Sequence, residues 1–328
     1  MIEANAHAPL HFLTAPPCVQ TMNADRRDAR AIEVIDAHHH VWDLSKGNYP
    51  WLQQNYLGDR FFLGPYEKLR RNYLPDDYRA DTEGFRIVGT VHIEAERART
   101  QQVDETRWLH QLRQRSGLPS VLVPHVSFIQ PDLREVLEAH TAFAEVRGIR
   151  SKPVTAPDPH SSVSGQPGSM QDPAWLDGLA QLQHFGLSWD LRVPFWHLQE
   201  AAEVAQLFPG IAIILNHTGL PLDRSASGLA LWRKGMEALA EAPNVYVKLS
   251  ELGLRGGRWD PVSNRQVLRE ALSIFGIDRA VFASNLPVSG LSAPFETLFA
   301  GVLDAVSDLD QAAIDNIFAH NARAFYRM

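Results

Sequence analysis

Eight short apolar, β-rich runs, each followed by a segment with helical periodicity, constrain this chain more than any other feature. The first opens the stretch Val34-Ile35-Asp36-Ala37-His38-His39-His40-Val41-Trp42, and the others lie at 87–93, 121–128, 146–150, 187–193, 211–215, 245–249 and 280–283. Helical patterns fall between them at about 103–114, 133–143, 173–185, 198–208, 229–240, 264–275 and 296–306, and an amphipathic segment at 311–326 closes the chain. The runs are near-continuous rather than alternating, as strands buried on both faces must be. Eight β-α units predict an α/β fold of the (β/α)8 TIM barrel type. A doubly wound open sheet is the structural alternative, but no Gly-rich phosphate turn follows the first strand.

A barrel accounts for the length, since 328 residues exceed one average domain without requiring two. Residues 1–30 carry prolines, alanines and the run Asp25-Arg26-Arg27-Asp28 without periodicity, and read as an N-terminal extension to a domain at 31–328. Residues 42–64, rich in aromatics and turn formers, read as a long loop next to the histidines, and 66–78 as a helix and turn. A net charge of −7 without a basic run predicts neither a nucleic-acid partner nor an anionic membrane surface. The single cysteine, Cys18, rules out an internal disulfide framework and a thiolate metal site. No apolar run reaches transmembrane length and no basic leader with an apolar core opens the chain, so a cytoplasmic protein is expected. Oligomeric state stays open, a homo-oligomer included.

Barrel sites are built from the C-terminal ends of the strands. Here those ends carry His38 and His40, then His92 and Glu94, His125, Arg150 and Lys152, Asp190 and Arg192, His217, Lys248 with Ser250 and Glu251, and lastly Ser284 and Asn285. Strict alternation points Asp36, His38 and His40 one way and Ala37, His39 and Val41 the other. Two imidazoles so spaced can chelate one cation, with Asp36 behind them to orient a ring. His217 offers a third ligand and leaves a position open for water, the pattern of a catalytic zinc. A His-rich strand end and a satisfied buried histidine are the plainer alternatives. Arg150, Arg192, Arg255 and Arg258 are candidates to hold an anionic substrate, because guanidinium forks onto carboxylate. Trp42, Tyr49, Trp51, Trp196 and Trp259 are candidates to wall an apolar cleft.

Several motifs carry a resemblance: I-D-A-H-x-H-x-W from Ile35, V-R-G-I-R at 146–150, L-N-H-T-G-L-P at 215–221, V-K-L-S at 247–250, A-S-N-L-P-V at 283–288 and N-A-R-A-F-Y at 321–326. From Val34 to the C-terminus the chain resembles the amidohydrolase-2 branch of the amidohydrolase superfamily. The likeness is nearest to its lactonase-like group of sugar-acid lactonases and 2-pyrone-4,6-dicarboxylate lactonase. The resemblance implies hydrolysis of a small lactone or related carboxylic ester by water activated at one divalent metal, zinc first, held by His38, His40 and His217. It also admits a metal-independent hydrolase. The superfamily's fifth-strand histidine and a clear bridging lysine are not evident, so at most one metal is expected.

Asn285 falls where the family carries an aspartate. An amide has no ionisable carboxylate and cannot be a general base, though its oxygen can accept a hydrogen bond or ligate weakly. Three readings follow: the metal alone activates water; a carboxylate such as Glu94, Asp190 or Glu251 takes the proton; or the site has lost hydrolysis and only binds. The catalytic candidates are thus Asn285, His217, Glu94 and Asp190, and the substrate-binding ones Arg150, Arg192, Trp42, Tyr49 and Trp196. The branch also contains decarboxylases, which rely on the aspartate absent here.

Overall fold

The computed structural model describes residues 30–328. The expected N-terminal extension, Arg30 apart, lies outside the described residues, as does Cys18. Eight strands follow in order: β1 (Glu33–His39), β2 (Arg86–Ile93), β3 (Val121–Val123), β4 (Gly148–Ile149), β5 (Ser188–Leu191), β6 (Ile213–Leu215), β7 (Val245–Leu249) and β8 (Ala280–Phe282). They pair in parallel as two arcs, β1-β2-β3 and β4-β5-β6-β7-β8. Parallel bridges Leu122↔Val146 and His125↔Arg150 join the arcs on one side, and His39↔Leu286 joins them on the other. That second seam is sealed by Asn285 N–H donating to the His38 carbonyl at 2.7 Å and His40 N–H to the Leu286 carbonyl at 2.8 Å. The fold is a (β/α)8 TIM barrel.

Local chemistry sets the element boundaries. The run expected at 121–128 stops at Val123 because Pro124 has no N–H to extend the ladder. Helices Pro173–His184 and Pro261–Phe275 start on Asp-Pro pairs, in which Asp172 and Asp260 cap the first turn and proline fills the position that needs no donor. Ser225 caps Ala226–Ala240 in the same way, so two of these helices begin three residues earlier than periodicity alone predicts. The closing segment is Gln311–Asp315 and Asn321–Tyr326, joined by a π-turn at Asn316–His320. The 42–64 region holds a short helix, Pro50–Gln53, and a 3-10 turn, Gly58–Arg60; 66–78 resolves into a turn at Glu67–Leu69 and the start of a helix, Pro75–Asp81.

Two apolar layers result. One lies between the strands and the outer helices and includes Trp175, Trp189, Trp232 and Phe282. The other fills the barrel with Ile35, Val91, Val121, Ile214 and Val281, and Phe325 and Tyr326 of the last helix plug its lower end. Apolar filling from below leaves the polar strand ends at the top to form the site. No helix among the described residues is long and apolar enough to cross a membrane.

Candidate active site

β1 does not run evenly into its histidines. Its register against β2 slips between Val34 and Ile35 and again between Asp36 and His39. The second slip parts side chains that strict alternation would keep together, which corrects the expected arrangement. Asp36 and His39 turn to Tyr78, the former accepting its hydroxyl at 2.9 Å and the latter with its ring centre 4.7 Å away, tilted against the phenol. His38 turns inward, its ring centre 4.5 Å from His217 and 5.0 Å from His40. Among the described residues Asp36 orients no imidazole; it accepts from Tyr78, Ser284 and the backbone N–H of His38.

Above these rings opens a cleft of about 610 Å³ with His40, His217 and Asn285 on its lining. Pro50, Trp51, Leu57, Phe61, Phe62 and Val288 supply an apolar side. Arg60, Arg97, Arg99, Arg150, Lys152 and Arg192 supply a cationic one, in a chain whose net charge is negative. Four expected wall residues do not line it, among them Trp259, which packs partly buried against the core. Trp42 is wholly buried and donates to the Arg71 carbonyl; Tyr49 lies beneath the Arg97 guanidinium; Trp196 donates to the Ala156 carbonyl. Each aromatic is used in packing the loops that frame the cleft. Arg255 is spent on the Asp59 carbonyl.

The carboxylates separate by their partners. Burial opposes the charge of Glu94, but Arg150, Lys152 and Arg99 outweigh it and hold this carboxyl well below the usual range. Arg150 donates to its Oε1 at 2.8 Å, so this acid and base pair with each other at the cleft, which Arg150 also lines. Asp190 lies under the cleft, ion-paired with Lys248 and accepting from Tyr326 and Asn216. Among the described residues no cation contacts Glu251. Its Oε2 accepts from Asn285 Nδ2 at 2.5 Å and Ser289 Oγ at 2.9 Å, Oε1 has no partner, and burial pushes the carboxyl up to about 7. Arg192 is the contrasting cation. Partly buried beside Phe62, whose ring centre is 5.9 Å away, its guanidinium makes no hydrogen bond or ion pair among the described residues. Burial and neighbouring Arg150 lower its pKa to about 10, which leaves it charged at neutral pH.

Backbone strain gathers at the same rim. Glu96, His217, Glu251 and Asn285 all adopt positive φ, between 50° and 60°, which non-glycine residues hold only when their surroundings impose it.

The imidazoles are neutral. Burial leads in lowering all three pKa values, followed by Lys248 for His38 and by cleft arginines for His40 and His217. His40 Nδ1 faces the Ile93 carbonyl at 2.8 Å and so carries the proton, leaving the Nε2 lone pair directed at Asn285 Oδ1, 3.2 Å away. Two acceptors facing each other favour a cation nearby. His38 Nε2 is buried without a partner, and His217 Nδ1 meets Ser250 Oγ at 3.1 Å. The donor chemistry therefore fits one divalent ion, although among the described residues no three His, Cys, Asp or Glu side chains are already arranged to hold one. Lys248 Nζ, 3.3 Å from His38 Nδ1, sets a condition: Nε2 can ligate only when Nδ1 bears the ring proton.

Sequence reasoning passed over Lys248 and ranked Glu251 behind other acids. The available signal was a lysine and a glutamate interrupting and ending an otherwise apolar strand.

Barrel, strand-end histidines and motif order are those of one family. The amidohydrolase family model matches residues 35–328, and the chain belongs to that family. It is 35% identical over 297 residues to the uncharacterized protein y4mH of Sinorhizobium fredii, covering 90% of this chain and 99% of that one. It is 27% identical over 274 residues to an L-fucono-1,5-lactonase of Burkholderia multivorans, covering 80% and 84%. An amidohydrolase from Burkholderia multivorans crystallised with bound zinc superposes with a TM-score of 0.73 at 25% identity, covering 90% of this chain and 99% of that one.

Proposed function

We propose that this protein hydrolyses a lactone or related carboxylic ester that carries a carboxylate on an apolar body. The observation that carries this reading is Arg192, a guanidinium without a hydrogen-bond or ion-pair partner among the described residues, on the same cleft as His40, His217 and Asn285. A desolvated cation without a counter-ion binds a substrate carboxylate strongly and in a fixed orientation. Trp51, Phe61 and Phe62 bury the rest of the molecule. The relatives named as L-fucono-1,5-lactonase and L-rhamnono-gamma-lactonase support ring-ester hydrolysis. A sugar lactone, however, would want several free oxygen acceptors for its hydroxyls, and Glu96 on this lining is already engaged by Lys152 and Arg99.

Hydrolysis joins a water oxygen to the carbonyl carbon, breaks the carbon–oxygen bond of the ester, and moves a proton from the water to the departing oxygen. His38, His40 and His217 would hold one divalent metal, which when bound supplies Lewis-acid polarisation of the carbonyl and acidifies water. Asn285 Oδ1 can hold a water by accepting its hydrogen but cannot remove the proton. Without the metal, His217 and His40, neutral and on the cleft lining, accept or orient that hydrogen; with it, their lone pairs are spent on the ion. Loop 42–64 supplies Trp51, Phe61 and Phe62 to the cleft lining. The reading is tested by a panel of carboxylated and neutral lactones and esters, assayed for acid release alongside metal analysis of the purified protein.

A further inference from the structure

Glu251 and Asn285 follow β7 and β8, and each holds its side chain from a left-handed backbone, with φ of 50° and 57°. The two meet where the site faces the cleft. Asn285 presents its amide between unlike neighbours: Nδ2 against Glu251 Oε2, Oδ1 against the lone pair of His40 Nε2. Considered with His40 alone, the amide is the wrong way round, because turning it over would let Nδ2 donate to that lone pair. Glu251 opposes the turn, since its Oε2 already accepts from Ser289 Oγ and, in the carboxylate form, has no proton to donate to the Asn285 oxygen. Ser289, which donates to the same Oε2 and whose N–H is bound by the Asn285 carbonyl at 3.0 Å, braces both. The charge of Arg192 acts on Glu251, and Glu251 is 2% exposed.

We propose that Glu251 is a positioning residue that, through Asn285, keeps the Nε2 lone pair of His40 open to the cleft. The acid at 251 is then the counterpart of the amide at 285. An aspartate at 285 has two equivalent oxygens and needs no such orientation, whereas it would press a second carboxylate against Glu251. This inference rests on the hydrolytic reading only for its activity arm.

Its test compares the full-length wild type with Glu251→Gln, Asn285→Asp and the double variant. Three quantities are read: kcat and KM on a carboxylated lactone, zinc retained after dialysis against a zinc buffer, and Tm. Glutamine can donate to Asn285 and release the turn, so Glu251→Gln should lower kcat and zinc affinity about tenfold with KM changed less than about twofold. Asn285→Asp should lower Tm by about 4 °C or more through its carboxylate pair. The double variant should return all three quantities to near wild type. Unchanged zinc affinity and kcat in Glu251→Gln, or a double variant no better than the worse single, would overturn the proposal. If Asn285→Asp does not fold alone, its recovery by Glu251→Gln supports the pairing and continued misfolding contradicts it. If the wild type turns over no substrate, the hydrolytic reading fails, while the Tm comparison still decides the pairing.

Discussion

Lys248 Nζ lies 3.3 Å from His38 Nδ1 and on its other side is ion-paired with Asp190. Both members of the ion pair are wholly buried, and the Tyr326 hydroxyl closes it from below. Three strands and the C-terminal helix are thus tied directly under the cleft. Lys248→Met leaves Asp190 charged in the interior, and a loss of about 3–5 kcal/mol in urea unfolding is expected. Lys248→Met combined with Asp190→Leu removes both charges, and most of that loss should disappear. Additive losses would show that the two residues do not act as a pair.

Arg192 should govern affinity for the substrate's carboxylate. Arg192→Ala is expected to raise KM for carboxylated substrates about tenfold to a hundredfold, with kcat much less affected and neutral substrates unchanged. Arg192→Lys should recover part of the loss, because it restores charge without the fork. Steady-state kinetics on matched acid and methyl-ester substrates separates these outcomes.

Glu105 makes stability depend on pH. Its carboxyl is buried, accepts the Ala95 N–H at 3.1 Å, and is pushed by burial, then by Glu94, from 4.5 up to about 7. Between those values the folded chain binds more protons than the unfolded chain, so this residue's contribution falls as pH rises and levels off above about 7. The full effect is about 3 kcal/mol. Chemical denaturation of wild type and Glu105→Gln from pH 4.5 to 8 should show the substitution gaining on wild type as pH increases. A constant difference would contradict the assignment.

The barrel was legible because its signal is repetitive: eight apolar runs, each ending in polar residues, could hardly be placed otherwise. His38, His40 and His217 were found by the same logic, since each ends a strand. What could not be read depends on partners distant in the chain. Glu94 and Arg150, 56 residues apart, cancel each other, and Lys248 and Asp190, 58 apart, do likewise. The slip in β1 that separates Asp36 from His38 arises from pairing with β2 and leaves no trace in spacing. Trp42, Tyr49 and Trp196 have the composition of a cleft wall, but packing of neighbouring loops consumes them.

Metal binding is testable apart from catalysis. His38→Ala and His217→Ala should each reduce zinc retained by the purified protein at least about tenfold, as loss of one of three ligands does. His39→Ala, which removes the ring packed against Tyr78, should leave zinc content unchanged, and equal loss in all three variants would argue against the assignment.

The most direct measurement of the central claim is acid release, followed by pH-stat, from a panel pairing apolar-bodied carboxylated lactones with neutral sugar lactones of similar size. Preference for the carboxylated members by about tenfold or more in kcat/KM, lost in Arg192→Ala, is the expected result. Preference for the neutral sugar lactones, release of carbon dioxide instead of ring opening, or no turnover across the panel would contradict it.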